Sequence, residues 1–291
     1  MKRVTAKRKP CMKFLGPALC CIFVLLPASA QTYRMMPWEE YSRNAYRQPY
    51  ILNIYMPNGG LFYFGIQHSD DPTDEQFQEI ETFWKQFKPD VAFNEGGDLS
   101  VEGNTRSEVI RKYGEPGLVR YLALRHHVPV KSMEPKFAEE IAELLKKYSP
   151  EHVKIFYIIR DMAGYDRKRF PDKTREQYLQ DEIARYSAVA ALKNVPPTSA
   201  QELEPTFAKY FPGLGSYNNK DALVGWVDPA SAKTLLNKIS RDSTEYRDQF
   251  MVDLISRTVC QQKRVFVVVG WSHVVRQEPA IRTLLSEKCS H

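Results

Sequence analysis

Short β-branched and aromatic runs alternate with longer segments of helical period along this chain, and that alternation restricts the fold more than any other feature. Residues 51–55 and 61–66 are two such runs, separated by Met56-Pro57-Asn58-Gly59-Gly60, which reads as a hairpin turned on Asn-Gly. Asp71-Pro72 and a capping box of Thr73 with Gln76 then open a helix that runs to about Phe87. Phe77, Ile80, Phe83, Trp84 and Phe87 give it an apolar stripe. Lys88-Pro89 stops it, and 90–94 is a short strand. The pattern repeats with a helix over 116–127, a strand over 128–132 and a helix over 136–147. Helices over 151–192 and 201–210 follow, then a break at 211–228 with three glycines, and a helix from about 244 to 261. Val265 to Val269 is the most apolar strand, and a final helix spans 278–286. Strands separated by helical segments form βαβ units. The chain is predicted to be α/β, with a mostly parallel central sheet flanked by helices and a helical insertion at about 136–240.

The first 30 residues read differently. Lys2, Arg3, Lys7, Arg8, Lys9 and Lys13 precede an apolar stretch over 14–26 and a small-residue exit, Pro27-Ala28-Ser29-Ala30. These are the parts of a secretory signal peptide, and the apolar stretch is short of a membrane span. The expectation is an exported protein, periplasmic or extracellular, with 31–291 as one mature domain and a retained signal anchor as the alternative. Residues 1–30 hold six of the 41 Lys and Arg and none of the 35 Asp and Glu, so the remainder is balanced in charge. The basic pI of about 8.9 therefore belongs to the leader and disfavours nucleic acid as a partner. Of five cysteines only Cys260 and Cys289 lie beyond the leader.

Ligands of open α/β sheets sit beyond the carboxyl ends of the strands. There the sequence places Gly65-Ile66-Gln67-His68, Glu95 after 91–94, Glu134 after 128–132, and Gly270-Trp271-Ser272-His273. Two of the chain's six histidines and two glutamates so reach one edge. A neutral imidazole there serves as general base or metal ligand, and a carboxylate orients it or adds an oxygen ligand. One Gly-x-x-His is common; the pair, each after an apolar strand, points to function. Arg247 shares a helix face with Met251, Leu254 and Thr258, where an unpaired guanidinium is costly. It is either a buried ion pair or a fork that holds Glu95 or Glu134 or clamps a substrate anion. His126-His127 reads as a helix end. No Gly-x-Ser-x-Gly elbow, phosphate-binding loop, His-Glu-x-x-His or dinucleotide fingerprint occurs.

Paired Gly-x-x-His motifs, strand-end glutamates and an Arg shortly before the second motif resemble the superfamily of Tiki, TraB/GumN-type, erythromycin-esterase-like and ChaN-like proteins. The similarity is best over 65–95 and 247–273. It implies metal-dependent proteolysis in the Tiki branch, histidine-activated water on an ester in the esterase branch, and haem binding in the ChaN-like branch. Ile66 stands where the last two often carry Glu. Trp271 replaces a small residue of the TraB-type motif and so narrows or lines the pocket.

Together these readings predict hydrolysis of an amide or ester bond in a peptide or small molecule. His68 and His273 would bind a divalent metal with Glu95 or share base duty, Glu134 would orient, and Arg247 would meet the oxyanion. Haem or metal binding without catalysis is the alternative, with His68 or His273 as axial ligand. Residues 211–228, with Tyr217 and Trp226, are expected to lie over the site. A strand and a helix packed back on it would bring Cys260 and Cys289 together in a disulfide, the alternative being two free thiols.

Overall fold

The computed structural model describes residues 34–97, 99–167 and 173–289, so the leader of 1–30 falls outside the described residues. After a short helix, α1 (Trp38–Tyr41), come β1 (Tyr50–Met56), β2 (Gly59–Ile66), α2 (Glu75–Phe87), β3 (Val91–Asn94), α3 (Arg106–His126) and β4 (Val130–Ser132). Five helices follow: α4 (Phe137–Leu144), α5 (Pro150–Arg167), α6 (Arg175–Ser187), α7 (Ala200–Tyr210) and α8 (Lys220–Val227). The chain returns through α9 (Leu235–Cys260), β5 (Arg264–Gly270) and α10 (Trp271–Lys288).

The strands form one five-stranded sheet in the order β1-β2-β5-β3-β4. β1 is antiparallel to β2, as its tight turn requires, and every other pairing is parallel. β5 is central and buried from Val265 to Gly270, because apolar side chains leave it on both faces. Phe62, Phe64, Phe266 and Val268 pack on Phe77, Trp84, Val109 and Leu118 of α2 and α3. On the other face Tyr63, Val267 and Val269 meet Met251 and Ile255 of α9 and Val274 and Ile281 of α10. The helices α4 to α8 bury a core of their own around Phe156, Tyr157, Ile159 and Phe207. α9 joins it through Leu236 and Ile239, then continues onto the sheet.

Several element boundaries differ from those predicted. The N-cap of α2 is Asp74, which accepts from Gln76 N, and not Thr73; the carboxylate of Asp71 engages Thr73 instead. α3 begins ten residues early, at a Thr105–Glu108 capping box, and is broken at Gly114 (φ 65°), so that Pro116 opens only its second half. α9 begins at a capping box of Thr234 and Asn237, since Leu236, Ile239, Ser240 and Ser243 are buried against the helical layer. α10 starts directly at Trp271, with Pro279 inside it.

Residues 211–228 do not cover the site. Tyr217 and Leu223 are buried in the helical core, and Asn237 Nδ2 donates to the carbonyls of Gly225, Trp226 and Asp228. No residue of the segment lines the two cavities described below. Among the described residues no helix is long and apolar enough to cross a membrane. Cys260 and Cys289 form a disulfide with Cα atoms 4.9 Å apart, because α10 runs back along β5 to the level at which α9 ended.

Candidate active site

β2 and β5 lie side by side in parallel, with Gly65 opposite Val269 and Ile66 opposite Gly270. Both Gly-x-x-His motifs therefore leave the sheet at one level. Gly65 is required by close approach: a Cβ there would meet Trp271 Cα at 2.8 Å and Tyr50 O at 2.9 Å. A Cβ on Gly270 would stand 3.0 Å from His68 Nε2, so any side chain there would press on the imidazole. His68 follows on a loop clamped by Gln76, whose amide accepts from Gln67 N (3.0 Å) and donates to Gln67 O (3.3 Å). His273 lies in the first turn of α10 and not on a loop. Its register to β5 is thus fixed by helix geometry.

The two imidazoles face one carboxylate. His68 Nε2 is 3.7 Å from Glu95 Oε2, and His273 Nε2 is 3.7 Å from Glu95 Oε1. Each Nδ1 is held by a different acid. His68 Nδ1 donates to Glu115, and His273 Nδ1 donates to Asp248 Oδ1 at 2.5 Å. Ionised carboxylates can only accept, so the proton sits on Nδ1 and a neutral ring offers Nε2 as its acceptor. Glu95 is itself anchored: Arg247 Nη2 donates to Oε1 at 2.9 Å and Gly270 N to Oε2 at 3.1 Å. Burial pushes its carboxyl upward, but the imidazolium forms of His68 and His273, with Arg247 and the Gly270 amide, outweigh that and hold it well below the usual carboxylate range. Arg247 also grips Glu134 through Nε (2.7 Å) and Nη2 (2.5 Å).

All five sequence-predicted residues thus converge, with Arg247 as the fork that holds Glu95 and Glu134. Its Nε and Nη2 are committed to those glutamates. Glu115 and Asp248 were missed. Glu115 stands at the kink of α3, where Gly114 packs against Ser69 O, and the Gly114-Glu115-Pro116 break was the available signal. Asp248 is fully buried and also accepts from Gln277 Nε2 (2.8 Å) and from Arg276. Tyr63 extends the chain: burial pushes its phenol far above the usual range, and the retained O–H donates to Gln277 Oε1 at 2.8 Å.

A cavity of about 730 Å³ opens beside His68 and is lined also by Ser69, Arg111, Arg167, Trp271 and Ser272. A second, of about 820 Å³, is lined by Glu95, Glu134, Arg160, Arg185 and Arg247. Both border Gly164 and Arg167 on α5, so the His68–Glu95 pair stands between two adjoining chambers.

Among the described residues neither predicted cofactor has a preformed site. Two histidines backed by carboxylates and a shared glutamate are a suitable donor set for a divalent ion. Yet among the described residues no group of three or more His, Cys, Asp or Glu is arranged to hold one. The shared ligand, Glu95, already accepts from a guanidinium and an amide, which places positive charge beside the position the ion would need. For haem, the Nε2 of each histidine turns toward a carboxylate. The chamber at His68 is walled largely by Gln67, Ser69, Asp70, Arg111 and Arg167, with Ile66 and Trp271 as its apolar residues. A scan against protein-family models finds no match, and a search of curated proteins finds no significant relative.

Proposed function

We propose that the protein is an exported hydrolase that cleaves an ester or amide bond with His68 as general base and without a metal. The observation that carries this reading is the pair of imidazoles facing the two oxygens of one anchored carboxylate, each Nδ1–H fixed by its own acid. His68 is the working base because its side chain is 52% exposed, against 9% for His273, and lines the chamber. It takes a proton from water at Nε2 as the water attacks the carbonyl, then returns it to the leaving group. Glu115 stabilises the imidazolium formed between these steps, as a buried carboxylate does in a catalytic triad. Glu95 faces the same nitrogen and orients the water, while Arg247 keeps Glu95 ionised and in place. The oxyanion meets the N-terminus of α10, where Trp271 and Ser272 line the chamber and no side chain caps the first-turn amides. The resemblance to the erythromycin-esterase-like branch supports this chemistry, and the Cys260–Cys289 bridge suits an oxidising compartment.

The test is a panel of chromogenic esters and fluorogenic peptides assayed with wild type, His68→Ala and His273→Ala, with and without a chelator. Hydrolysis should survive chelation and fall by about 10²–10⁴-fold in His68→Ala, the range expected for loss of a general base. Full turnover in that variant would refute the assignment of the base. Loss of wild-type turnover on chelation would refute the metal-free mechanism.

A further inference from the structure

We infer that the chamber at His68 selects an organic anion bearing an apolar or aromatic group, held by Arg111 and Arg167 on one side and Trp271 on another. This rests on the hydrolase reading and specifies its substrate class. The contrast between the two chambers carries it. In the second, Arg160 is answered by Asp161, Arg185 by Asp161 and Glu182, and Arg247 by Glu95 and Glu134. Arg111, which lines only the first, and Arg167, which borders both, have no ion pair with any described residue.

The acids nearest Arg111 are already engaged. Asp71 Oδ1 accepts from the amide and hydroxyl of Thr73 at 2.9 and 2.7 Å. Glu108 Oε2 accepts from the amide and hydroxyl of Thr105 at 2.7 and 2.8 Å. Arg167 donates through Nε only to Ala163 O, one turn back on its own helix, at 3.3 Å. Asp70 also lines the chamber and forms an ion pair with neither arginine among the described residues. Arg111 feels Asp71 and Glu108 only through space, so two arginines line one concavity without a direct ion pair, and a carboxylate matches the donor geometry of a guanidinium.

The apolar contact comes from Trp271. Its indole is backed by Tyr41 and Tyr46, with ring centroids 5.5 and 6.1 Å away, so the wall is braced before any ligand arrives. Aromatic side chains of this kind supply large contact area at low entropic cost.

A matched pair of probes tests the inference: 4-phenylbutyrate and its neutral amide, titrated calorimetrically at low ionic strength. The expected result is at least about tenfold tighter binding of the carboxylate, abolished in the Arg111→Gln/Arg167→Gln double variant and retained in His68→Ala. Both arginines are exposed, so the double variant should fold, which a thermal melt checks. Equal affinity for the two probes, no binding of either, or a preference that survives the double substitution would overturn the inference. Failure of the hydrolase reading shows separately, as turnover that His68→Ala leaves intact.

Discussion

His68 and His273 present the same ring to the same carboxylate from neighbouring strands, yet their surroundings have little in common. His68 sits on a loop, half open to a chamber, with Glu115 behind it. His273 sits inside a helix, closed in by Asp248, and Asp248 also accepts from Arg276 and Gln277. Arg276 in turn lies flat on Trp38, 4.0 Å from its ring centroid, and reaches Glu245 at 2.7 Å. Under the proposed mechanism the difference separates two duties that one residue type can perform. A base must exchange protons with a ligand, so it needs access and a single stabilising acid. A ring that only holds a carboxylate in place gains from being over-determined.

The sharpest way to break this comparison is Asp248→Ala. It leaves the buried guanidinium of Arg276 with Glu245 alone among the described acids and releases His273, and should cost about 3–5 kcal/mol in urea unfolding. Glu115→Gln has one imidazole to disturb and should lower turnover with far less loss of stability. Equal destabilisation by both would erase the distinction between a working and a structural histidine.

Reduction of the disulfide comes next. It joins the ends of α9 and α10, the two helices that carry Asp248 and His273, across a separation of 29 residues. Cys260→Ala with Cys289→Ala should therefore lower stability by about 3–4 kcal/mol. Hydrogen exchange should rise first in α9 and α10, not in the loop of His68; a uniform rise would show that the bridge serves the whole fold alike.

The smallest effect concerns Glu95, which both histidines share. Its folded-state carboxyl is depressed below the ordinary value near 4.5, so the ionised form is favoured in the native state. Its stabilisation is complete above that ordinary value and drains away as pH falls toward the depressed one. Glu95→Gln should cost about 1–3 kcal/mol at neutral pH, and its stability curve should converge with that of wild type in acid. Parallel curves down to low pH would remove Glu95 as the ionised centre of the site.

The sheet, the strand-end placement of four site residues and the disulfide were legible because each follows from local pattern plus the rule that parallel strands end at one edge. Glu115 and Asp248 were not. Their roles depend on the approach of α3 and α9 to loops far away in sequence, and an acid within a helix carries no mark of what it will meet. Asp248 is next to Arg247, yet the two side chains serve different parts of the site. The start of α10 was obscured by Glu278-Pro279, which imitates a helix opening. The helical role of 211–228 was hidden by glycines, although Asn237 supplies from α9 the hydrogen bonds that hold the end of that segment.

The position of β5 in the strand order has a consequence for how the molecule comes into being. Of the five described strands this one is made last, yet it lies between β2 and β3, which precede it by more than 150 residues. Until it arrives, the hairpin of β1 and β2 and the pair of β3 and β4 are two unconnected edges, each with an apolar flank open to unwanted pairing. His68 and Glu95 belong to those separate halves, and His273 and Gly270 come with the strand that unites them. A nascent chain accordingly has no partial site: the capacity for chemistry and the completion of the sheet are one late event.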